Sequence, residues 1–406
     1  MTRRFRTCVA YVNHTGSVSG AERVLINMLR GIDRSLYEPF VVCPTDGELA
    51  TLLKAEDVTC LPLPVVRARF SWRPNHLLKA IASLIRAVAS LHRTLARLEP
   101  DIVHANTMRA GIVASLASMG SGRPVIWHIH DNLPRHALST LIRIAALVLH
   151  PRHVIAVSNS TATAFRGPFS FKGRVVTIHN GIDLSLFPLK TETSSGLRVE
   201  LGIPEDAFLI CAIGQICARK GLLELVEAFA IAHSQAPHLH LAIAGSVIFE
   251  HEKSYHDSLR IAATAPAIAG NIHLTGQIQH ASQMLQAADL LVLNSREEPF
   301  GLVLIEAMSS GTPVLATRVG GVPEIVKDSV NGWLVEKNDT AALAAKLLDL
   351  SRNEPALQQA ARIARDETCP QFSLERFQNR LHKLYADLTP NRKRAIEHAH
   401  TIEPCN

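Results

Sequence analysis

Short apolar runs alternate with longer stretches of helical periodicity along most of this chain, first over roughly residues 5–178 and again over roughly 207–335. The apolar runs are continuous rather than alternating, which is typical of parallel strands that helices cover on both faces. Each half therefore predicts a doubly wound α/β domain. The strands predicted in the first half are Thr7–Val12, Pro39–Cys43, Ile102–Ala105, Val125–Ile129, Val154–Val157 and Val175–Ile178. Those predicted in the second half are Leu209–Ile213, Leu239–Ala244, Ile272–Leu274, Leu290–Leu293 and Val314–Ala316.

Polar, turn-rich sequence sets the predicted domain boundaries. The stretch that begins at Pro188 is rich in Thr, Ser and Gly and is the best linker in the chain. After the second domain we expect a last helix that crosses back to the first domain, followed by a disordered tail. The predicted order is an N-terminal Rossmann-like domain, a linker, a C-terminal Rossmann-like domain, the last helix and the tail, over residues 1–187, 188–206, 207–371, 372–388 and 389–406.

At 406 residues, with 47% hydrophobic and 19% charged positions, the chain is long enough for two domains and too apolar to be disordered. The apolar stretch around residues 138–149 is too short for a bilayer span and is interrupted by Arg143. The amino-terminal segment is more typical of a first strand than of a signal peptide. Seven cysteines without a Cys-x-x-Cys pair indicate reduced core thiols, so we expect a cytoplasmic protein.

Charge is unevenly distributed along the chain. Residues 1–188 hold 22 lysines and arginines against 11 aspartates and glutamates, a net charge of +11, whereas the remainder has a net charge of −5. A basic first half attracts nucleic acid, an anionic membrane surface or a phosphorylated substrate, and charge alone does not choose between them. Because the sequence holds no nucleic-acid recognition motif, we expect no nucleic-acid partner.

One basic segment, Val65–Lys79, has the composition of a membrane contact. It interleaves Arg67, Arg69, Arg73 and Lys79 with the aromatic residues Phe70 and Trp72. A long amphipathic helix, Leu77–Leu98, is predicted to follow. This pattern is typical of an anionic membrane interface, and the alternative is a solvated basic loop beside a core helix.

Two glycine-containing loops follow predicted strands and precede predicted helices. The first, His14–Glu22 (HTGSVSGAE), offers backbone amides to an anion, unless it is an ordinary strand-to-helix turn. The second, Gly214–Gly221 (GQICARKG), adds Arg219 and Lys220, and paired cations beside a helix start suit a diphosphate. Two solvated charges are the alternative, although cations oppose the helix dipole at that end.

The densest motif is Glu298–Pro323, with the sequence EPFGLVLIEAMSSGTPVLATRVGGVP. Its first turn opens a helix near Leu302, which leaves unpaired amides at the helix start. Glu298 precedes that helix and Glu306 lies one turn into it, so the two carboxylates would reach different parts of one ligand. Since a carboxylate accepts two hydroxyl hydrogen bonds, neighbouring diols of a sugar or ribose fit this pair. Two surface glutamates are the alternative for the spacing alone.

Taken in order, these motifs resemble family 4 of the glycosyltransferases. The resemblance covers nearly the whole chain and rests on SGAE (19–22), WHIHD (127–131), VSNS (157–160), HNGIDLSLF (179–187), RKG (219–221), AADLLVLNSREEPFG (287–301) and two glutamates with seven residues between them. It implies a retaining enzyme of the GT-B fold, in which two Rossmann-like domains face each other across a central cleft. The first domain would then bind the acceptor and the second a nucleotide-sugar donor.

The resemblance also implies roles for individual residues. Glu306 would bind the ribose hydroxyls and Glu298 the transferred sugar, while Arg219 and Lys220 would offset the charge of the diphosphate. His130 would contact the sugar in the transition state, with His128 as the second choice. The remaining donor contacts, made largely through the backbone, would come from Gly20, Gly276, Phe300, Gly301, Leu302 and Val303.

One position departs from the family pattern. Many members carry Arg directly after the glycine at position 214, where this chain has Gln215, so either Arg219 supplies that contact or donor affinity is weaker. In the family, the leaving diphosphate helps to deprotonate the acceptor hydroxyl, so no enzymic nucleophile is implied. Because the chain has neither an Asp-x-Asp motif nor a metal-ligand spacing, we expect no metal and no other cofactor.

The predicted function is retaining transfer of a hexose-like sugar from a nucleotide sugar to a glycan or lipid-linked acceptor. This would serve cell-envelope or exopolysaccharide synthesis, by an enzyme bound peripherally to the inner face of the cytoplasmic membrane. A non-catalytic nucleotide-sugar-binding protein of the same fold remains an alternative. A dinucleotide-dependent oxidoreductase is another, although the first loop lacks a clean GxGxxG with an acidic residue about twenty positions further on.

Overall fold

The computed structural model describes residues 6–66, 74–134, 136–189, 196–278 and 280–390. The chain divides into two compact units. The first unit holds the described residues up to Gly181 together with those from Leu374 onward, and the second holds Ile182–Ser373. Each unit contains one fully parallel sheet covered by helices, which confirms the two α/β domains expected from the hydrophobic pattern.

The first unit is built on a seven-stranded sheet. Its strands, numbered along the chain, are β1 Thr7–Val12, β2 Tyr37–Cys43, β3 Thr59–Pro62, β4 Ile102–Ala105, β5 Val125–Ile129, β6 His153–Ala156 and β7 Val175–Thr177. Their order across the sheet is β3-β2-β1-β4-β5-β6-β7. The chain winds outward from β1 in one direction and from β4 in the other. Ligands of doubly wound sheets bind at the carboxyl ends of strands beside such a switch point.

The helices of the first unit include the last helix of the described chain. They are α1 Gly20–Arg30, α2 Glu48–Ala55, α3 Pro74–Leu98, α4 Met108–Ala117, α5 Ala137–Leu149, α6 Asn159–Arg166 and α15 Leu374–Leu388. Helix α15 buries Phe377, Leu381 and Tyr385, which are four residues apart and form one apolar stripe. The Gln378 Nε2 atom donates a hydrogen bond to the carbonyl of Met28 at 2.6 Å, and so fixes α15 to α1.

The second unit repeats this architecture with a six-stranded sheet. Its strands are β8 Phe208–Ile213, β9 Leu239–Ala244, β10 Ile272–Gly276, β11 Leu290–Leu293, β12 Val314–Thr317 and β13 Trp333–Val335, in the order β10-β9-β8-β11-β12-β13. The switch point therefore lies between β8 and β11. Its α-helices are α7 Gly196–Glu200, α8 Leu222–His233, α9 Lys253–Ala263, α10 Ala281–Ala287, α11 Leu302–Ser309, α12 Val322–Ile325, α13 Thr340–Leu350 and α14 Glu354–Ile363. Short 3₁₀ turns cover Leu184–Leu186, Ala218–Lys220, Glu250–Glu252 and Cys369–Phe372, and a π-helical turn covers Ala364–Thr368.

Hydrogen bonds tie the chain after Gly181 to the second unit. Ile182 pairs with Ser373, and its amide donates to the carbonyl of Phe372 at 3.1 Å. The division between the units therefore falls ahead of the linker predicted over residues 188–206. Of that linker, residues 190–195 lie outside the described residues, as do residues 391–406 of the predicted tail.

Candidate active site

The carboxyl edge of the second sheet brings Lys220 and Glu298 into contact. Lys220 ends the 3₁₀ turn Ala218–Lys220 after β8, and Glu298 lies in the turn after β11, the neighbouring strand. The Lys220 Nζ atom donates a hydrogen bond to Glu298 Oε2 at 2.6 Å, and the two side chains are 15% and 10% exposed. Ser295 Oγ donates to the same oxygen at 3.2 Å. Two residues 78 positions apart thus form a buried, charge-assisted pair.

Opposing effects set the pKa of Glu298. Burial favours the protonated carboxyl and would raise its pKa, but the charge and hydrogen bond of Lys220, and then the charge of Arg219, lower it below its ordinary value. The carboxylate is therefore ionised at neutral pH. Arg219 is exposed, and its Nη1 atom donates to the carbonyl of Glu297 at 3.3 Å. Lys220 and Arg219 thus place two cations beside Glu298, and such cations can bind an anionic ligand.

Glycine backbone geometry shapes the two turns that carry these side chains. Gly221 has φ of 60°, and a Cβ atom there would lie 2.2 Å from the carbonyl oxygen of Asn294. Gly301 has φ of 105° and precedes α11 without a side chain to cap the helix. The first amides of α11 therefore lie at the carboxyl end of β11, where they can donate to an anion.

The other predicted donor residues of this unit lie around the same edge. Leu302 and Val303 form the start of α11, and the half-buried Glu306 is its fifth residue. The Phe300 ring is buried and packs edge-on against Phe372, with 5.7 Å between ring centroids. Gly276 ends β10, and its carbonyl accepts from the amide of Gly245 at 2.8 Å. A depression at this edge is lined by residues that include Gly214, Gln215, Lys220 and Asn294.

In the first unit, His130 lies at the matching edge of the sheet. It directly follows β5, as Asn106 follows β4 and Asn13 follows β1, and these three strands are neighbours. The His130 Nε2 atom is 3.3 Å from Asn106 Oδ1. Asn106 Nδ2 in turn donates to Asn13 Oδ1 at 3.2 Å and to the carbonyl of Ala21 at 3.1 Å. His130 is thereby connected to the first turn of α1, which begins at Gly20.

Gly20 is not required by the packing of the protein. Gly20 is exposed, and a Cβ atom added to it would have no other atom within 4 Å. Close approach of a ligand is one reason for a glycine at such a position.

The buried imidazoles of His104 and His128 form a row of contacts that ends at His130. His104 Nδ1 is 2.6 Å from the hydroxyl of Tyr385, and His104 Nε2 is 3.3 Å from His128 Nδ1. The His128 ring lies against the His130 ring, with 4.3 Å between centroids. Burial lowers the pKa of His104 and of His130 to about 3 and shifts the pKa of His128 in the same direction, so all three are neutral at physiological pH.

Sequence reasoning missed several residues of this network. Asn13, Asn106, His104 and Tyr385 were not among the predicted site residues. A usable signal was present, because Asn13 and Asn106 are polar residues that directly follow buried strands. Tyr385 carried no such signal, since it comes from the last helix, 281 positions away from His104.

The described residues hold neither a cluster of metal-ligating side chains nor a membrane-spanning helix. No group of three or more His, Cys, Asp or Glu side chains in the described ranges is arranged to hold a metal ion. None of the helices in that part of the chain is both long enough and apolar enough to cross a membrane.

Comparison with known proteins connects both units to one class of enzyme. The family model for group 1 glycosyl transferases matches residues 195–367, and the model for Glycosyltransferase Family 4 matches residues 18–186. A D-inositol 3-phosphate glycosyltransferase of Streptomyces avermitilis is 30% identical over 65% of this chain. The match spans only 60% of that relative's length.

Other relatives match over their whole length. The UDP-Gal:alpha-D-GlcNAc-diphosphoundecaprenol alpha-1,3-galactosyltransferase of Escherichia coli is 22% identical over 95% of this chain and 98% of its own. The crystal structure of HepE from Anabaena, in complex with UDP-glucose, superposes with a TM-score of 0.82 at 25% identity, covering 94% of this chain and all of HepE. The two parallel sheets and this similarity establish the GT-B fold expected from the motifs.

Proposed function

Because the chain belongs to glycosyltransferase family 4, we propose that it is a retaining glycosyltransferase that moves a sugar from a nucleotide sugar to a glycan or lipid-linked acceptor. The observation that carries this proposal is the buried Lys220–Glu298 pair, with Arg219, beside the uncapped start of α11. Cations and amides suit a diphosphate, and an ionised carboxylate suits sugar hydroxyls. The crystal structures of HepE hold UDP with glucose and UDP-glucose, which makes uridine diphosphate sugars the first donors to test.

In the proposed reaction, the acceptor hydroxyl attacks the anomeric carbon on the face that the diphosphate leaves. The bond from that carbon to the diphosphate oxygen breaks, and the departing diphosphate takes the hydroxyl proton, so no enzymic nucleophile and no metal are needed. Lys220 and Arg219 stabilise the charge that develops on the diphosphate. Glu298 holds the hydroxyls of the transferred sugar, and Glu306 holds those of the ribose.

The remaining predicted site residues have supporting roles in this proposal. His130 contacts the sugar in the transition state, and the exposed Gly20 admits the donor close to the backbone. The donor is further held through the backbone of Gly276, Phe300, Gly301, Leu302 and Val303.

The acceptor side of the proposal is a lipid-linked glycan of the cell envelope or an exopolysaccharide. It is supported by the Escherichia coli galactosyltransferase, whose name specifies a diphosphoundecaprenol-linked acceptor and which aligns over 98% of its length. The proposal therefore includes action in the cytoplasm, at the inner face of the cytoplasmic membrane, where the enzyme would reach a lipid-linked acceptor.

A surface of the first unit suits that location. Helices α3 and α5 both pack against α4. Exposed apolar side chains lie on α3 (Leu78, Ile81 and Ile85) and on α5 (Leu141, Ile144 and Val148). On α3 they are flanked by exposed cations, Lys79, Arg86 and Arg93. Apolar residues flanked by cations bind anionic lipid surfaces. The basic segment with Arg67, Phe70 and Trp72 lies outside the described residues.

Donor binding and turnover test the catalytic part of the proposal. Among nucleoside diphosphate sugars, we expect one class to raise the melting temperature of the protein, since a ligand that binds the folded state stabilises it by mass action. The same donor should be hydrolysed or transferred. Stabilisation without any turnover would instead favour the non-catalytic binding protein, and no stabilisation by any nucleotide sugar would reject the proposal.

Sedimentation with vesicles tests the membrane surface. Wild-type protein should bind vesicles that contain anionic phospholipid at modest salt, and the double substitution Leu141→Ser and Val148→Ser should reduce the bound fraction. Ile261→Ser is the matched control, because Ile261 is as exposed as Val148 (74% and 76%) but lies in the second unit. Equal binding by wild type and the double variant would show that this surface is not the contact.

A further inference from the structure

A chain of hydrogen bonds leads from a buried carboxylate to His130. Glu22 Oε1 accepts from Asn13 Nδ2 at 3.2 Å, Asn13 Oδ1 accepts from Asn106 Nδ2 at 3.2 Å, and Asn106 Oδ1 lies 3.3 Å from His130 Nε2. We propose that Asn106, held in place by Asn13 and Glu22, is a positioning residue that fixes His130 in the tautomer with its proton on Nε2. The importance of this for catalysis rests on the function proposed above, but the tautomer itself does not.

The orientation of the first amide, Asn13, follows from its neighbours. Its Nδ2 atom faces two oxygens that can only accept, the carbonyl of Thr15 at 2.8 Å and the carboxylate of Glu22. Rotating the amide group by 180° would place its oxygen against these two acceptor oxygens, where it could form no hydrogen bond. Asn13 therefore presents its Oδ1 atom to Asn106.

The second amide is oriented in the same way. Asn106 Nδ2 faces Asn13 Oδ1 and the carbonyl of Ala21, which are both acceptors. Asn106 therefore presents Oδ1, an acceptor, to His130. An imidazole nitrogen that meets an acceptor must carry the proton, so Nε2 of His130 is protonated. In the neutral ring the lone pair is then on Nδ1.

Burial makes this arrangement stiff. Asn13 and Asn106 are fully buried and Glu22 is 2% exposed, so an amide flipped out of this pattern would leave polar groups unpaired in the interior. Glu22 is also held by Ser19, whose backbone amide and hydroxyl donate to Oε2 at 3.0 and 2.6 Å. Glu22 thus caps α1 and anchors the chain of amides at once.

The consequence for the proposed reaction is that His130 offers an acceptor, rather than a donor, on Nδ1. A neutral ring of this tautomer accepts a hydrogen bond from a sugar hydroxyl. A ring of the other tautomer would lose the contact with Asn106 Oδ1 and present a proton instead.

The tautomer can be measured directly on the full chain without any substrate. In protein with ¹⁵N-labelled histidine, the two ring nitrogens of a neutral imidazole have well-separated chemical shifts, and His130→Gln assigns the His130 signals by their loss. At neutral pH we expect a protonated Nε2 and an unprotonated Nδ1. The Nδ1-protonated form, or two averaged shifts, would overturn the proposal even if the enzyme is active.

Substitutions test which residue imposes the tautomer. In Asn106→Ala, the His130 shifts should move toward the average of the two tautomers, and unchanged shifts would overturn the role of Asn106. Asn13→Ser leaves Asn106 in place but removes the amide that orients it, so the His130 shifts should again move toward the average. This variant serves as the test if Asn106→Ala does not fold.

Asn331→Ala is the matched control. Asn331 is 1% exposed and donates to Ile325 and Thr368, but it lies in the second unit. A similar change of the His130 shifts in Asn331→Ala would show that they respond to a general loss of structural rigidity, and it would reject the proposal.

Discussion

At the scale of single residues, the pair formed by Lys220 and Glu298 is poorly suited to stabilise the fold. Desolvation of two charges offsets most of their attraction, so a buried pair adds little net stability. Removing one partner has a larger effect, because the other charge stays buried alone. A buried pair beside an exposed cation, Arg219, is better explained by a ligand than by folding.

We expect Lys220→Ala to lower both activity and stability. Without the ammonium, burial raises the pKa of Glu298, and the free energy of unfolding should fall by about 3 kcal/mol. Turnover should fall about 100-fold or more, as when a donor to a developing charge is lost. Urea titration and a donor-turnover assay measure the two effects. Lys346→Ala is the control, since its exposed pair with Asp349 should contribute less than about 1 kcal/mol.

A second variant separates the two effects. The double substitution Lys220→Met and Glu298→Gln removes both charges and should regain most of the stability but none of the activity. If it regained activity as well, the pair would have no role in catalysis.

At the scale of elements, the start of α11 is the feature on which donor binding would most depend. The helix begins directly after Gly301, whose φ of 105° is rarely adopted by residues with a side chain. A Cβ atom there would also lie 3.1 Å from Leu304 Cδ1. A side chain at this position would therefore strain the turn that sets the amides at the start of α11.

Gly301→Ala should lower the free energy of unfolding by about 1–3 kcal/mol and weaken donor binding in addition. Thermal unfolding with and without the stabilising nucleotide sugar measures both. Gly270→Ala is the control, because Gly270 has no positive φ and no atom lies within 4 Å of its added Cβ. Equal behaviour of the two variants would contradict the role given to this turn.

The hydrophobic pattern predicted the central strands well and two other strands not at all. All residues of β1, β4, β5, β9 and β11 are buried, so their sequences are mostly apolar, with at most one polar residue in each strand. Strand β3 lies at the edge of its sheet and is partly exposed, and β13 has only three residues, so neither gives a strong pattern. The candidate site could also be predicted only in part. Lys220 and Glu298 lie in recognisable sequence motifs. Their contact, and the hydrogen bonds of Asn13 and Asn106 near His130, depend on which strands are neighbours in the sheet.

At the scale of the whole molecule, the first unit holds several imidazoles whose pKa is lowered by burial. Burial lowers the pKa of His14 to about 4 and that of His104 and His130 to about 3, below the ordinary value of 6.5. Below pH 6.5, each ring is still neutral in the folded protein but gains a proton when the chain unfolds. Their contribution to stability is therefore complete above pH 6.5 and is lost as the pH falls from there toward 3–4.

We expect the first unit to lose stability as the pH falls from about 6.5 to about 5, by up to about 2 kcal/mol for each buried imidazole. Urea titrations of two single-tryptophan variants, one retaining Trp127 in the first unit and the other Trp333 in the second, follow the units separately. The midpoint reported by Trp127 should fall more on acidification than that reported by Trp333. A midpoint at Trp127 that does not depend on pH would show that the imidazoles are not neutral in the folded protein.

Helix α15 has a consequence for how the protein is made. Since Phe377, Leu381 and Tyr385 complete the interior of a unit that begins near the amino terminus, that unit is interrupted in the chain by all of Ile182–Ser373. During translation, the inserted half leaves the ribosome whole and can finish folding while the earlier half still lacks its closing segment. A premature stop codon just before Leu374 would therefore spare the inserted half and leave the other permanently incomplete.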